Sequence, residues 1–166
     1  MNLMFQITAP YLDIIRDAVT SFGSDRFIRI SLLGAGAANL FPNRPTTILP
    51  WDEETELSIG KYFDVGIMPL TDGPFERGKC GYKLVQYMAG GLPVIASPVG
   101  INSQIVEHNV NGYLASSTDD WLVAFSRLKH DINKRYEMGQ AGRNKAEKMY
   151  NLQVTAPKLL TLLSNV

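Results

Sequence analysis

The stretch DVGIMPLTDGPFERGKCGYKLVQYMAGGLPVIAS, residues 64–97, decides the fold. Its ends, DVGIM and LPVIAS, are short continuous apolar runs, and Pro69 closes the first. Runs of that length bounded by turn residues mark strands buried on both faces. Between them YKLVQYMA forms an apolar helix face and stops at Gly90 and Gly91, residues on which helices end readily. Strand, helix and strand in that order predict a parallel pair joined by a crossover helix.

The same alternation extends in both directions. Upstream, TAPYLDIIRDAVTSFG predicts a helix from Ala9, with Pro10 in its first turn, Leu12, Ile15, Val19 and Phe22 as its apolar stripe, and Gly23 as its end. Strands follow over about Phe27–Leu33 and Thr47–Leu49, then a helix over Glu53–Tyr62. Downstream come a short helix on INSQIVEH, a small edge strand on NGYLA, and helices on DDWLVAFSRLKHD, INKRYEMGQAGRNKAEKMY and LQVTAPKLLTLLSN. In the last of these Pro157 is expected in or near the first turn. The first six residues, MNLMFQ, carry no strand or capping pattern. The expected fold class is α/β: a Rossmann-like, doubly wound, mainly parallel sheet with helices on both faces, in one domain over residues 1–166.

Composition narrows the partners. The 166 residues are 45% apolar and carry sixteen basic against sixteen acidic side chains, so bulk charge favours neither nucleic acid nor a membrane surface. One cysteine, Cys80, cannot form an internal disulfide, and no Cys/His cluster has zinc spacing. A reducing, cytoplasmic setting and no metal are the expectation. SLLGAGAAN lacks the third glycine of a dinucleotide fingerprint, and the FPNRP that follows opens a loop, not a phosphate-capping helix. There is no Walker A motif and no GxSxG elbow. His108, in EHNVNG, reads as part of a turn, and Cys80 as small-residue packing.

Ligands of open α/β sheets bind outside the carboxyl ends of the strands. The strand ending at Met68 runs into a loop that bears Arg77 and Lys79, and the next helix begins near Gly81 with Lys83 in its first turn. Free first-turn N–H groups, the helix dipole and nearby cations suit a phosphate or diphosphate, and Gly78 and Gly81 permit close backbone approach. The plain alternative is a solvated polar loop ahead of an ordinary buried helix.

From Asp64 to Ala115 the order and spacing of residues resemble the C-terminal, nucleotide-sugar-binding domain of GT-B glycosyltransferases, in the retaining group called family 4 or group 1. The likeness is nearest to a subgroup with the pattern KCG-x-KL-x-QYMA. Two carboxylates typical of the family fall at Gly78 and Gln86 here, so neither is kept, although Glu76 stands near the first. Gln86 can hydrogen-bond a ribose diol without charge.

The resemblance implies a glycosyltransferase that moves a sugar with retention from a nucleoside diphosphate donor to a glycan, lipid-linked or other glycoconjugate acceptor. No metal and no further cofactor are required. It places the phosphates at Lys79, Gly81, Tyr82 and Lys83, and the base and ribose at Gln86, Pro50, Trp51, Pro69 and Leu70. Gly100 to Ser103 either line the sugar pocket or turn the chain. Enzymes of this kind work in a cleft between two domains, and this length holds one, so the acceptor-binding N-terminal domain is expected to be absent and the isolated domain inactive. The first strand-to-helix loop also lacks the family's basic residues. The partners implied are the donor and that missing domain, with no nucleic acid. For the whole enzyme a cytoplasmic place at the inner membrane face is implied, with peripheral membrane association. The competing class is a non-catalytic binding or interaction module derived from such an enzyme.

Overall fold

The computed structural model describes residues 1–5, 9–22, 28–33, 41, 46–50 and 52–164. Among these residues six strands form one sheet: β1 (Asn2–Phe5), β2 (Arg29–Leu33), β3 (Thr46–Leu49), β4 (Val65–Met68), β5 (Val94–Ala96) and β6 (Gly112–Leu114). Their order is β3-β2-β1-β4-β5-β6, and every neighbouring pair is parallel. The chain winds outward one way from β1 and the other way from β4, so the point where the winding reverses lies between those two strands. That is where such sheets open a crevice for ligands.

The helices are a 3-10 segment (Ala9–Ile15) running into α1 (Arg16–Phe22), then α2 (Glu53–Leu57), α3 (Ile59–Tyr62), α4 (Pro74–Arg77), α5 (Tyr82–Ala89), α6 (Asn102–Ile105), α7 (Thr118–His130), α8 (Ile132–Met149) and α9 (Leu152–Ser164). One face of the sheet, with Leu3, Ile30, Val65 and Ile67, packs on Leu12, Ile15 and Val19 and on Trp121 and Phe125 of α7. The other face, with Leu33, Met68, Val94 and Ala96, packs on Leu84, Tyr87 and Met88 of α5 and on Ile59 of α3. Gly66 lets α5 lie this close: a Cβ there would sit 2.3 Å from a ring carbon of Tyr87.

Three expectations are corrected. The N-terminal residues form β1, a central strand, whose Asn2 N–H donates to Asp64 Oδ2 at 2.6 Å and whose Leu3 is buried. The single helix over 53–62 is broken at Ser58, whose N–H bonds back to the Glu54 and Thr55 carbonyls. The loop after β4 contains α4, which starts on Pro74. Pro157 lies inside α9 near its first turn, as expected.

Candidate functional site

At the carboxyl ends of β1 and β4 a cavity of about 490 Å³ is lined by Tyr11, Met68, Pro69, Leu70 and the run Gly78 to Lys83. Its lining residue Leu70 is held by a buried polar network: Ser97 Oγ accepts from the Leu70 N–H at 3.0 Å, and Asn102 Nδ2 donates to the Ser97 carbonyl at 3.2 Å. Gly81 is the N-cap of α5 and adopts a left-handed conformation, φ +68°, with no side chain capping the helix. A Cβ at Gly81 would stand 2.3 Å from Ile105 Cδ1, so both the turn and the packing require glycine. At the start of α5 the Leu84 and Val85 N–H groups bond back to the Gly81 carbonyl at 2.9 and 3.3 Å, while Tyr82 and Lys83, which precede the first helical bonds, line this cavity.

Two lysines reach this region by different routes. Lys79 Nζ donates to Tyr11 Oη at 2.9 Å and lies 4.2 Å from the centre of the Tyr11 ring and 5.2 Å from that of Phe75. Tyr11 Oη in turn donates to Glu76 Oε1 at 2.5 Å. That bond, with the Glu76 backbone N–H and then the Lys79 charge, holds the Glu76 carboxyl below its usual range. Lys83, one turn further on, forms an ion pair with Glu56 Oε1 of α2 at 3.2 Å. The same oxygen accepts from Gln86 Nε2 at 2.6 Å.

Of the residues expected at the site, Lys79, Gly81, Tyr82, Lys83, Pro69 and Leu70 line this one cavity. Gln86 does not. It lines an adjoining cavity of about 340 Å³ with Glu53, Glu56 and Leu57, joined to the first through Tyr82. Gln86 Oε1 is buried there with no protein partner among the described residues. Trp51 lies outside the described residues, and Pro50 is exposed at the end of β3. Arg77 turns away to fork onto Asp72, with Nε at 2.6 Å and Nη2 at 2.9 Å, an exposed pair that lowers the carboxyl's pKa and raises the guanidinium's.

Gly100 serves the turn: its φ is +54°, and a Cβ would meet the Arg77 carbonyl oxygen at 2.7 Å. Cys80 is not packed inside but exposed, and it lines the cavity, because α4 ends just before it and leaves it on the rim. His108 belongs to the turn before β6, where its Nδ1 accepts the Leu114 N–H at 3.2 Å.

Sequence reasoning missed Tyr11 and Glu56. Tyr11 follows a strand that the sequence pattern did not reveal, and Glu56 meets its partners 27 and 30 residues away, a distance that only the fold closes.

Residues 54–131, from α2 through the cavity wall to the end of α7, match the family described as Glycosyl transferases group 1. Spore coat protein SA of Bacillus subtilis (strain 168) is 31% identical over 78 residues, which are 45% of this chain and 21% of that protein. Among solved structures, Anabaena Alr3699/HepE in complex with UDP superposes with a TM-score of 0.80 at 17% identity, over 99% of this chain and 48% of that one. The C-terminal domain of the glycosyl transferase group 1 family protein LpcC from Francisella tularensis gives 0.70 at 16% identity, over 91% of this chain and 86% of that one. The chain thus spans about half the length of the Anabaena protein it matches. The fold is a Rossmann-like α/β domain of the kind found in these structures. No helix among the described residues is long and apolar enough to cross a membrane.

Proposed function

We propose that this chain is the donor-binding domain of a glycosyltransferase, which takes a nucleoside diphosphate sugar in the cavity between β1 and β4. The observation that carries this reading is the uncapped N-terminus of α5 at Gly81, facing a cavity that also holds Lys79. Backbone N–H groups and a helix dipole bind the diphosphate, and Lys79 adds a full positive charge, so no metal is needed to meet the anion. Lys83 lies alongside, its charge shared with Glu56. In the adjoining cavity Glu56 and the unpartnered Gln86 Oε1 accept from the ribose hydroxyls, while Pro69 and Leu70 support the base side.

The same donors stabilise charge on the departing diphosphate as the glycosidic bond to the sugar breaks. Transfer with retention to a glycan or lipid-linked acceptor belongs to a second domain of the same protein, which completes the cleft in the cytoplasm at the inner membrane face. The match of residues 54–131 to group 1 glycosyl transferases and the likeness to a UDP complex support this reading. The isolated chain then binds donor and turns over little or not at all.

A rival reading, a non-catalytic module, draws on the Glu56 contacts, which occupy Lys83 and Gln86 without any ligand. Calorimetric titration of UDP, GDP and ADP and of their sugar conjugates separates the two. Saturable binding of one nucleotide is expected, and no binding of any would sink the donor reading.

A further inference from the structure

The two lysines at the α5 N-terminus are restrained in chemically different ways, and the difference assigns a role to Tyr11. Lys83 touches a carboxylate directly, so much of its charge is already compensated. Among the described residues Lys79 has no carboxylate at contact distance. A neutral phenol stands between it and Glu76, accepting from the ammonium at 2.9 Å and donating to the carboxylate at 2.5 Å. Donating to Glu76 orients the Tyr11 hydroxyl, so that its lone pair faces Lys79. The aromatic faces of Tyr11 and Phe75 flank the same ammonium. One of the three N–H donors of Lys79 is used by Tyr11, and no other acceptor among the described residues takes the remaining two, which leaves them for a ligand in the cavity the lysine lines.

We infer that Tyr11 is a positioning residue: anchored by Glu76, it holds the Lys79 ammonium at the mouth of the cavity between β1 and β4 so that an incoming diphosphate meets a fixed cation with no carboxylate in direct contact. The inference rests on the donor-binding reading above. It names a residue of the first crossover, a segment that contributes no basic side chain of its own near the site, as the one that places a cation borrowed from the loop before α5. A flexible lysine must be immobilised when it binds, and holding it beforehand lowers that cost.

The test is a double-mutant cycle on the full chain with UDP as the probe. Tyr11→Phe keeps the ring and removes the acceptor, and is expected to weaken UDP about fivefold, the worth of one ordinary hydrogen bond. In a Lys79→Met background the same change is expected to leave the affinity where it was, because there is no ammonium left to place. An equal loss in both backgrounds, or tighter binding by Tyr11→Phe, overturns the positioning role, the latter by showing that Tyr11 holds Lys79 away from the ligand.

A second arm needs no nucleotide, and so separates failure of this inference from failure of the donor reading. The ε-methylene NMR signals of Lys79, assigned with Lys79→Met, are expected to be shifted by the neighbouring rings in the unliganded chain and to move towards free-lysine values in Tyr11→Leu. Free-lysine values in the unsubstituted chain would overturn the proposal.

Discussion

The two flanks of α5 are built from the same kinds of parts, a lysine, a carboxylate and a neutral hydrogen-bonding side chain, wired in opposite order. On the cavity flank the neutral group, Tyr11, stands between Lys79 and Glu76. On the outer flank the carboxylate, Glu56, takes both Lys83 and Gln86 on one oxygen. The first arrangement restrains a cation without cancelling it. The second ties α5 to α2 and spends its cation on the tie. A lysine near a helix N-terminus is therefore not defined as a ligand group by its place in the sequence, since Lys79 and Lys83 are only four residues apart.

The comparison breaks most completely at the residue common to both flanks. Gly81→Ala forces a Cβ into the left-handed turn and against Ile105, and should cost about 2–4 kcal/mol in urea unfolding and abolish UDP binding together. A neutral result in either measurement would mean that the α5 N-terminus is not held by this turn. Lys79→Met should weaken UDP about tenfold with little change in the unfolding midpoint, because a charge-assisted contact to the ligand is lost and no folded-state ion pair is broken. Lys83→Met should show the reverse weighting: a loss of about 1–2 kcal/mol in stability, as half-buried Glu56 loses its ion pair with Lys83, and a smaller loss of affinity. Equal effects from the two lysines would erase the distinction between the flanks.

The smallest effect is on acidity. The Glu76 carboxyl is held below its ordinary range chiefly by Tyr11, so its contribution to stability is complete above the unfolded-state value and is lost as pH falls through the lowered folded-state value. The stability difference between the unsubstituted chain and Glu76→Gln should therefore shrink as pH falls into the acid range. A difference that grows instead would contradict the Tyr11 contact.

Much of this was legible before the fold was known, and what was not had physical reasons. The β4-α5-β5 unit showed in its apolar runs and its glycine stop, and the cavity wall from Lys79 to Lys83 followed from where that unit must open. The strand β1 did not show, because NLMF is four residues long and fully flanked, leaving no alternation to read. Without β1, the reversal of winding beside β4 was invisible, and so was Tyr11, which the first crossover delivers there. The break at Ser58 likewise escaped the pattern, since α2 and α3 together carry one helical-looking stretch; beyond the break α3 packs tightly on the end of α5, where a Cβ at Gly60 would lie 2.0 Å from the Gly90 carbonyl oxygen. Gln86 was expected on the base and ribose side, and it lines the adjoining cavity: three residues beyond Lys83 it lies on the same face of α5, so both side chains reach one Glu56 oxygen, a contact that no local spacing announces.

The central claim is that a diphosphate sits at the N-terminus of α5 beside Lys79. Titrating UDP into the isotopically labelled chain and following its backbone amides by NMR tests this directly. The account predicts that the amides of Lys79 to Lys83 shift most and saturate together. Shifts that are absent, or that gather instead at the opposite end of the sheet around Asn109, Arg127 and His130, would contradict it.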